Sequence, residues 1–483
     1  MAMSLALLEG SSVFAALCGA MLVWLRPLPL NWIDVVALLG QGLALSLCCI
    51  AAFYYTDLYD FRVVPSFPKF ICRLPRSFGL ALIPLAASSV IFFNLKIEAG
   101  SFILSLSLIL ALLVLIRAVF YWIMRSRLFV KRVVIVGKNP LAQKLIREIE
   151  AQPRFGYSIV AVVDDGLDLG KPPFRYPHLG SPEHLGKIIE KFHPDRIIVA
   201  LPERLGEMSV RQTLLEFRVH GIVVEDGAEV YERLTGKLAI ESLPSSSLIF
   251  SKDFQRSSLH LVIGGGLSLL ASAVGLIVFA PIFGLIALAI KLDSQGPVLF
   301  VQKRVGLNGK PFNLLKFRTM HPVNGKISEW ARDNGDRITR VGKWLRKFRL
   351  DELPQFINIL RRDMNLVGPR PHPVSNYDLF VLVLRNLPEC AEQIPYYSLR
   401  TLVRPGITGW AQVRYGYANG LEEEIEKMRY DLYYIKHLSF WFDLYILLET
   451  VKVVLLGQES DIANAHWTEE HESRPREELQ KAA

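Results

Sequence analysis

The sequence predicts a membrane protein in three parts: an α-helical N-terminal four-span bundle, an α/β Rossmann-like middle domain, and a mostly α-helical membrane-associated domain with a re-entrant helix broken at Pro281. Three observations lead there. Four apolar stretches fill residues 1–127, strand and helix patterns alternate over 128–245, and a proline-interrupted apolar run over 259–291 has basic residues at both ends. Residues 246–457 form the third domain and 458–483 a polar tail.

The composition agrees. Hydrophobic residues make up 51% of the 483-residue chain, clustered as soluble domains do not cluster them. The net charge of +9 suits anionic lipid or phosphorylated ligands, because the basic residues lie beside apolar segments. Nucleic acid is not expected as a partner, since no zinc-ligand spacing, RNA-binding signature or basic repeat is present. The five cysteines form no CxxC pair, which speaks against disulfides and structural zinc.

The N-terminal stretches are Leu5–Leu25, Ile33–Phe53, Phe78–Leu95 and Ser101–Ile123, each near the ~20 residues that cross a hydrocarbon core. No basic n-region precedes the first, so it does not read as a cleaved signal peptide. Arg62, Lys69, Arg73 and Arg76 sit between the second and third, and Arg125, Arg127, Lys131 and Arg132 follow the fourth. That bias places both ends of the bundle in the cytoplasm. No charged residue is expected at mid-span, so no transport path is marked.

In the middle domain Val133–Val136, Ser158–Val163, Arg196–Ala200 and Ile222–Glu225 read as strands. Helices are expected over Leu141–Ile149, Leu185–Phe192 and Val210–Val219. The rhythm is that of a doubly wound parallel sheet. Its first turn, Gly137-Lys138-Asn139-Pro140, has one glycine where a dinucleotide fingerprint needs three, so a structural or regulatory role is favoured over cofactor binding.

A polar linker over Glu241–Arg256 leads to the apolar run. Lys252 and Arg256 lie before it, Lys291, Lys303 and Arg304 after it, and Pro281 removes a helix hydrogen bond within it. A helix that enters the membrane, breaks at Pro281 and returns satisfies both facts. The alternative, a full crossing, would put everything after Lys291 on the far side.

Beyond the run come Lys316, Arg318 and Arg346, then Leu350-Asp351-Glu352-Leu353-Pro354-Gln355. Leu353, Phe356, Ile357 and Leu360 have the spacing of one buried helix face, which puts Asp351 and Glu352 at its N-terminal edge. Asp351 there is either a routine helix cap or a carboxylate kept ionised by the helix dipole and nearby arginines. An ionised Asp can attack phosphorus while its neighbour holds a metal. The stretch Tyr433–Leu456 reads as an interfacial amphipathic helix with Tyr434, Phe440, Trp441 and Tyr445 as anchors.

Residues 257–456 resemble the bacterial sugar transferase family, the monotopic polyprenyl-phosphate phosphoglycosyl transferases. The resemblance rests on Ala280-Pro281, Lys316-Phe317-Arg318-Thr319-Met320, Leu350–Gln355, Asp363–Pro371 with its Gly368-Pro369-Arg370-Pro371, Arg404-Pro405-Gly406-Ile407-Thr408-Gly409-Trp410, and Tyr430-Asp431-Leu432-Tyr433-Tyr434. The four spans and Rossmann-like domain are similar in layout to the large members that begin exopolysaccharide or O-antigen assembly. The resemblance implies an undecaprenyl-phosphate hexose-1-phosphate transferase at the cytoplasmic face of the bacterial inner membrane. Its implied donor is a UDP-sugar, glucose or galactose first, and its acceptor undecaprenyl phosphate in the lipid bilayer. Asp351 is the implied nucleophile, Glu352 the ligand of a Mg²⁺ cofactor, and Arg370 the clamp of the carrier phosphate. Lys316, Arg318, Arg346 and Arg404 are further phosphate ligands, Asp431 a support of the site, and a homodimer is implied by the same analogy.

Two positions depart from the pattern: Ala280 stands where many relatives have serine, and Val413-Arg414-Tyr415-Gly416-Tyr417 where many have Val-Asn-Gly-Arg. A membrane-tethered nucleotide-sugar dehydratase or epimerase shares the layout by resemblance. It needs an intact glycine turn and a Tyr-x-x-x-Lys pair, and no tyrosine here has lysine four residues on.

Overall fold

The computed structural model describes residues 2–24, 32–61, 63–64, 66–91, 99–125, 130–137, 140–151, 156–163, 185–200, 208–240, 258–321, 337–375, 397–415 and 421–456. The expected linker (241–256), the tail from Gln458, Arg62, and the Gly416-Tyr417 end of the departing loop lie outside them.

Four N-terminal helices form as expected: α1 (Ala2–Trp24), α2 (Trp32–Tyr55), α3 (Phe67–Ile91) and α4 (Ala99–Arg125). Helix α1 lies against α2 and α4, and α3 against both as well. Among the described residues, Leu106–Met124 and Val262–Asp293 are the stretches long and apolar enough to cross a membrane. Helix α3 starts early, so Lys69, Arg73 and Arg76 occupy its first turns rather than a connecting loop.

The bundle also corrects the expectation of uncharged spans. Glu9 of α1 and Arg117 of α4 are fully buried and joined twice, Nε to Oε1 at 2.5 Å and Nη2 to Oε2 at 3.2 Å. The guanidinium stacks over Tyr59 and Phe70 at 5.2 and 5.1 Å. Residues 108 apart cancel each other's charge, which a segment-by-segment reading cannot see.

The middle domain is a parallel sheet in the order β2-β1-β3-β4, from β1 (Lys131–Val136), β2 (Tyr157–Val163), β3 (Arg196–Val199) and β4 (Val223–Asp226). Helices α5 (Pro140–Ala151), α6 (Leu185–Phe192), α7 (Met208–Val219) and α8 (Gly227–Thr235) alternate with the strands. Val133 and Ile135 point into one core layer and Val134 and Val136 into the other, so both faces of β1 are covered. The end of α8 docks on the third domain. Lys237 pairs with Glu426, Lys436 Nζ reaches Glu232 Oε2 at 2.8 Å, and Trp410 Nε1 donates to the Gly236 carbonyl at 2.8 Å.

The third domain begins with α9 (Ser258–Asp293), which stays helical through Pro281. The break expected there is therefore not an interruption of helical structure. An antiparallel pair follows, β5 (Leu299–Val305) and β6 (Pro311–Phe317), then α10 (Arg340–Lys347) and α11 (Gln355–Leu360). Strands β7 (Asn365–Val367) and β8 (Gly406–Thr408) pair in parallel. Helices α12 (Trp410–Arg414), α13 (Leu421–Lys436) and α14 (Phe440–Leu456) complete the domain.

The expected interfacial helix is thus two helices, α13 and α14. Trp441 is exposed as an anchor would be, but Tyr434 is buried with its hydroxyl on Asp443, and Tyr445 packs 5.9 Å from Trp410. Asp57, beyond α2, pairs with Lys452 of α14, and the Tyr54 hydroxyl donates to Glu449 at 2.7 Å. The bundle therefore holds α14 from one side while the sheet domain holds α12 and α13 from another.

Removing one partner of the buried Glu9–Arg117 pair strands the other charge, a loss of about 3–5 kcal/mol. Thermal unfolding in detergent is expected to show Glu9→Leu strongly destabilised, and Glu9→Leu/Arg117→Met less so than either single variant.

Candidate active site

The site assembles around a sharp turn. Arg349 takes a left-handed conformation (φ 52°), and Leu350–Glu352 follow as one 3-10 turn before α11 starts at Gln355. Neither Asp351 nor Glu352 caps a helix: no side chain caps α11, whose cap position is Pro354. The routine reading of the pair as a helix start is therefore not what the fold uses. Both carboxylates are buried, at 9% and 7% exposure.

Burying two adjacent carboxylates is unfavourable unless cations compensate. Lys316 Nζ at 3.3 Å, Arg370 Nη2 at 3.2 Å and Arg349 Nη1 at 3.8 Å all converge on Glu352 Oε1. Burial alone would raise the Glu352 pKa, but these three cations hold it below the usual carboxylate range. Asp351 makes no hydrogen bond or ion pair with a described residue. Its pKa is raised by burial and by the Glu352 charge, against the pull of Lys316, Arg346 and Arg370. Four cations against two carboxylates leave an excess of positive charge, which suits a polyanionic ligand.

The expected buried face of α11 is displaced. Gln355, Asn358 and Ile359 are buried, while Leu360 is exposed at 42%. The reason is polar. Asn358 receives the Leu315 N–H at 3.0 Å and donates to the Asn313 carbonyl at 2.8 Å, tying α11 to β6. That bond fixes Lys316, the next residue of β6, opposite Glu352.

Arg370 is set by a junction of backbones. A Cβ on Gly406 would lie 2.1 Å from the Gly368 nitrogen, and one on Gly409 2.2 Å from the Gly368 oxygen. One on Gly368 would lie 2.4 Å from the Arg404 oxygen. These glycines permit the close approach in which Gly368 N donates to Thr408 O (2.9 Å) and Gly406 N to Pro369 O (3.0 Å). Arg304 supports the same loop, Nη1 donating to the Pro371 carbonyl at 2.8 Å.

Behind the loop lies a residue that the sequence reading missed. Arg400, almost fully buried, pairs with Asp431 at 2.6 Å, donates to the Arg370 carbonyl at 3.3 Å and lies 2.7 Å from His372 Nε2. Burial and the surrounding cations, Arg400 first, hold the His372 pKa well below its ordinary value, and the neutral ring can accept a hydrogen bond from Arg400 at Nε2. Asp431 therefore acts on the site through Arg400 and Arg370. Its only sequence signal was its place in the Tyr-Asp motif.

Of the expected site residues, the structure brings Asp351, Glu352, Lys316 and Arg370 together, with Arg346 within electrostatic reach of Asp351. Arg349, the residue before the Leu350–Gln355 motif, joins them unforeseen. Arg318 belongs elsewhere. It is buried at the end of α9, where Nη2 donates to the Ser294 carbonyl at 2.7 Å. Arg404 lines a separate cavity against α9 and α14. Pro281 lies within α9, apart from the carboxylates.

Among the described residues no group of three His, Cys, Asp or Glu converges. Mg²⁺, however, is commonly held by one or two carboxylates with substrate phosphates supplying the rest. The pair fits that pattern, because the three cations meet Glu352 at Oε1, and Oε2 would be the oxygen to hold the metal.

Residues 261–457 match the model of the bacterial sugar transferase family, and residues 55–225 that of a CoA-binding domain. The UDP-glucose:undecaprenyl-phosphate glucose-1-phosphate transferase of Xanthomonas campestris pv. campestris is 32% identical over 345 residues, 68% of each chain. The chain belongs to the bacterial sugar transferase family. A Klebsiella pneumoniae protein described by the same name is 31% identical, over 76% of this chain and 75% of its own. The UDP-N-acetylgalactosamine-undecaprenyl-phosphate N-acetylgalactosaminephosphotransferase of Aeromonas hydrophila is 39% identical over 47% of this chain. The match spans about half of that relative, 51% of its length. The family match covers the whole carboxylate site, from α9 to α14.

Gly406→Ala is expected to destabilise the folded protein by roughly 1–3 kcal/mol, because the added methyl meets backbone that cannot move aside. The thermal midpoint in detergent measures it. Gly265→Ala, whose Cβ meets nothing within 4 Å, is the control.

Proposed function

We propose that this protein transfers a sugar 1-phosphate from a UDP-sugar to undecaprenyl phosphate, through a phosphosugar held covalently on Asp351. The observation that carries this reading is the unequal treatment of two adjacent buried carboxylates. Glu352 is fixed by three cations, whereas Asp351 has no hydrogen bond or ion pair among the described residues, which leaves its lone pairs available for attack.

In the first step an Asp351 oxygen bonds to the β-phosphorus of the donor. The bond from that phosphorus to the bridging oxygen breaks, and UMP leaves with the electron pair. Lys316, Arg346 and Arg370 stabilise the charge that builds on the phosphoryl oxygens. Glu352 Oε2 would hold Mg²⁺, which when bound neutralises charge on the diphosphate and the leaving UMP. In the second step an oxygen of undecaprenyl phosphate bonds to the same phosphorus, the Asp351–phosphorus bond breaks, and the carboxylate is restored. The raised pKa of Asp351 makes the carboxylate basic for an aspartate, which favours attack.

We further propose that the four N-terminal helices cross the inner membrane, and that α9 enters and leaves at its cytoplasmic face. Two sets of contacts support the return. Leu269 and Gly275 meet the core around Phe356, and Ile286 and Ile290 meet Phe317 and Leu345 of the same polar domain. The outward residues Val274, Ile277, Val278 and Leu285 are apolar, as lipid contact requires. Pro281 removes one hydrogen bond between these two arms, which softens the helix there.

Membranes containing the protein, given Mg²⁺ and a panel of radiolabelled UDP-sugars, should label the protein itself when lipid acceptor is withheld. Asp351→Asn should abolish the label, and an adduct that survives this change would sink the nucleophile assignment. For the topology, a single cysteine replacing exposed Lys310 in a cysteine-free background should react with an impermeant thiol reagent only in inverted vesicles. Labelling in intact spheroplasts would mean that α9 crosses.

A further inference from the structure

A cavity of about 230 Å³ lies among α9, β7 and α14, apart from the carboxylates. Its walls are the first turns of α9 (Gly265, Leu267), β7, and Leu438 with Leu444 and Leu447 of α14. They are mostly apolar. The outer surface beside it is apolar too: Val262, Ile263, Leu270, Phe440 and Leu444 are all exposed. The cavity thus continues a surface that meets hydrocarbon in the topology proposed above.

One wall differs. Arg404 lines the cavity, makes no ion pair with a described residue, and has its buried Nε without a hydrogen-bond partner. Of the other arginines at the site, Arg349, Arg370 and Arg400 each meet a carboxylate, whereas Arg346 acts on Asp351 only at longer range. A guanidinium left unpaired at the edge of an apolar cavity needs an anion to offset its buried N–H. The backbone of Arg404 abuts Gly368, two residues before Arg370, so the cavity adjoins the loop that carries Arg370.

We infer that this cavity receives the first isoprenoid units of the lipid monophosphate acceptor, with Arg404 binding its phosphate. A ligand apolar at one end and dianionic at the other matches both walls, whereas a nucleotide sugar matches neither α9 nor α14. The inference rests on the transfer proposed above and adds where the second substrate sits. It also divides the cations: Lys316, Arg349 and Arg370 serve the carboxylates and the donor, and Arg404 serves the carrier. This differs from the sequence expectation, in which Arg370 clamped the carrier phosphate.

The test fills the cavity. Gly265 lines it, and a Cβ there meets nothing within 4 Å, so Gly265→Phe can place a ring inside without backbone conflict. The KM for polyprenyl phosphate should rise by at least about tenfold, the equivalent of roughly two methylene groups no longer buried. Adduct formation from UDP-sugar alone is read alongside, because it needs no lipid. An unchanged KM for the lipid, with the adduct intact, overturns the inference. Absence of adduct in the unsubstituted protein overturns the transfer reading instead.

A second measurement needs no variant. A polyprenyl phosphate carrying a diazirine in its first units should crosslink to residues 264–268 or 438–447 of the full-length protein in vesicles, and unlabelled polyprenyl phosphate should compete. Equal competition by phosphatidylglycerol, or crosslinks confined to other segments, would show an ordinary membrane lipid or another site, and the inference would fall.

Discussion

The structure depends on keeping Asp351 and Glu352 buried side by side. Two carboxylates in a partly dehydrated site repel each other, and each loses hydration that it must recover from the protein. The fold meets this by bringing cations from separate segments: Lys316 from β6, Arg346 from α10, Arg349 from the left-handed turn and Arg370 from the loop after β7. Most of the third domain can be understood as the means of fixing those four. The β5–β6 pair and Asn358 place Lys316, the strained turn places Arg349, and the glycine junction with Arg400 behind it places Arg370.

The compensation is uneven, and the asymmetry separates two chemically identical groups. Glu352 collects the direct contacts and stays ionised; Asp351 has only longer-range attraction and is correspondingly more basic. A nucleophile locked in ion pairs would have to break them to react. One held by field alone keeps its orientation through the backbone turn and its reactivity through its unshared oxygens.

Much of this was legible in the sequence, because motif glycines and prolines report backbone geometry. Gly368, Gly406 and Gly409 each sit where a Cβ would collide with backbone, so their spacing encodes a tertiary contact. The strands and helices of the middle domain could likewise be read from alternating apolar runs, since both faces of its sheet are covered. What could not be read depends on partners distant in the chain. Lys316 and Arg318 are two residues apart and equally basic, yet one meets Glu352 and the other ends α9. Asn358 displaced the expected apolar face of α11 because it bonds to β6, and apolar periodicity carries no trace of such a bond. Glu9 and Arg117, passed over in the expectation of uncharged stretches, show their role only as a buried pair 108 residues apart.

The same long-range pairing explains why three unlike parts form one molecule. The sheet domain grips α12 and α13 through Gly236, Glu232 and Lys237, while the bundle grips α14 through Tyr54 and Asp57. Helix α13 carries Asp431, which orients Arg400 and so Arg370; α14 carries Thr450, which bonds Thr408 of the glycine junction at 2.6 Å. Both N-terminal parts therefore bear on the loop that presents Arg370 to Glu352, though none of their described residues pairs with the carboxylates. A displacement of either part would reach the site through α13 or α14, and the first geometry to change would be that of Arg370, because its loop is held from both sides.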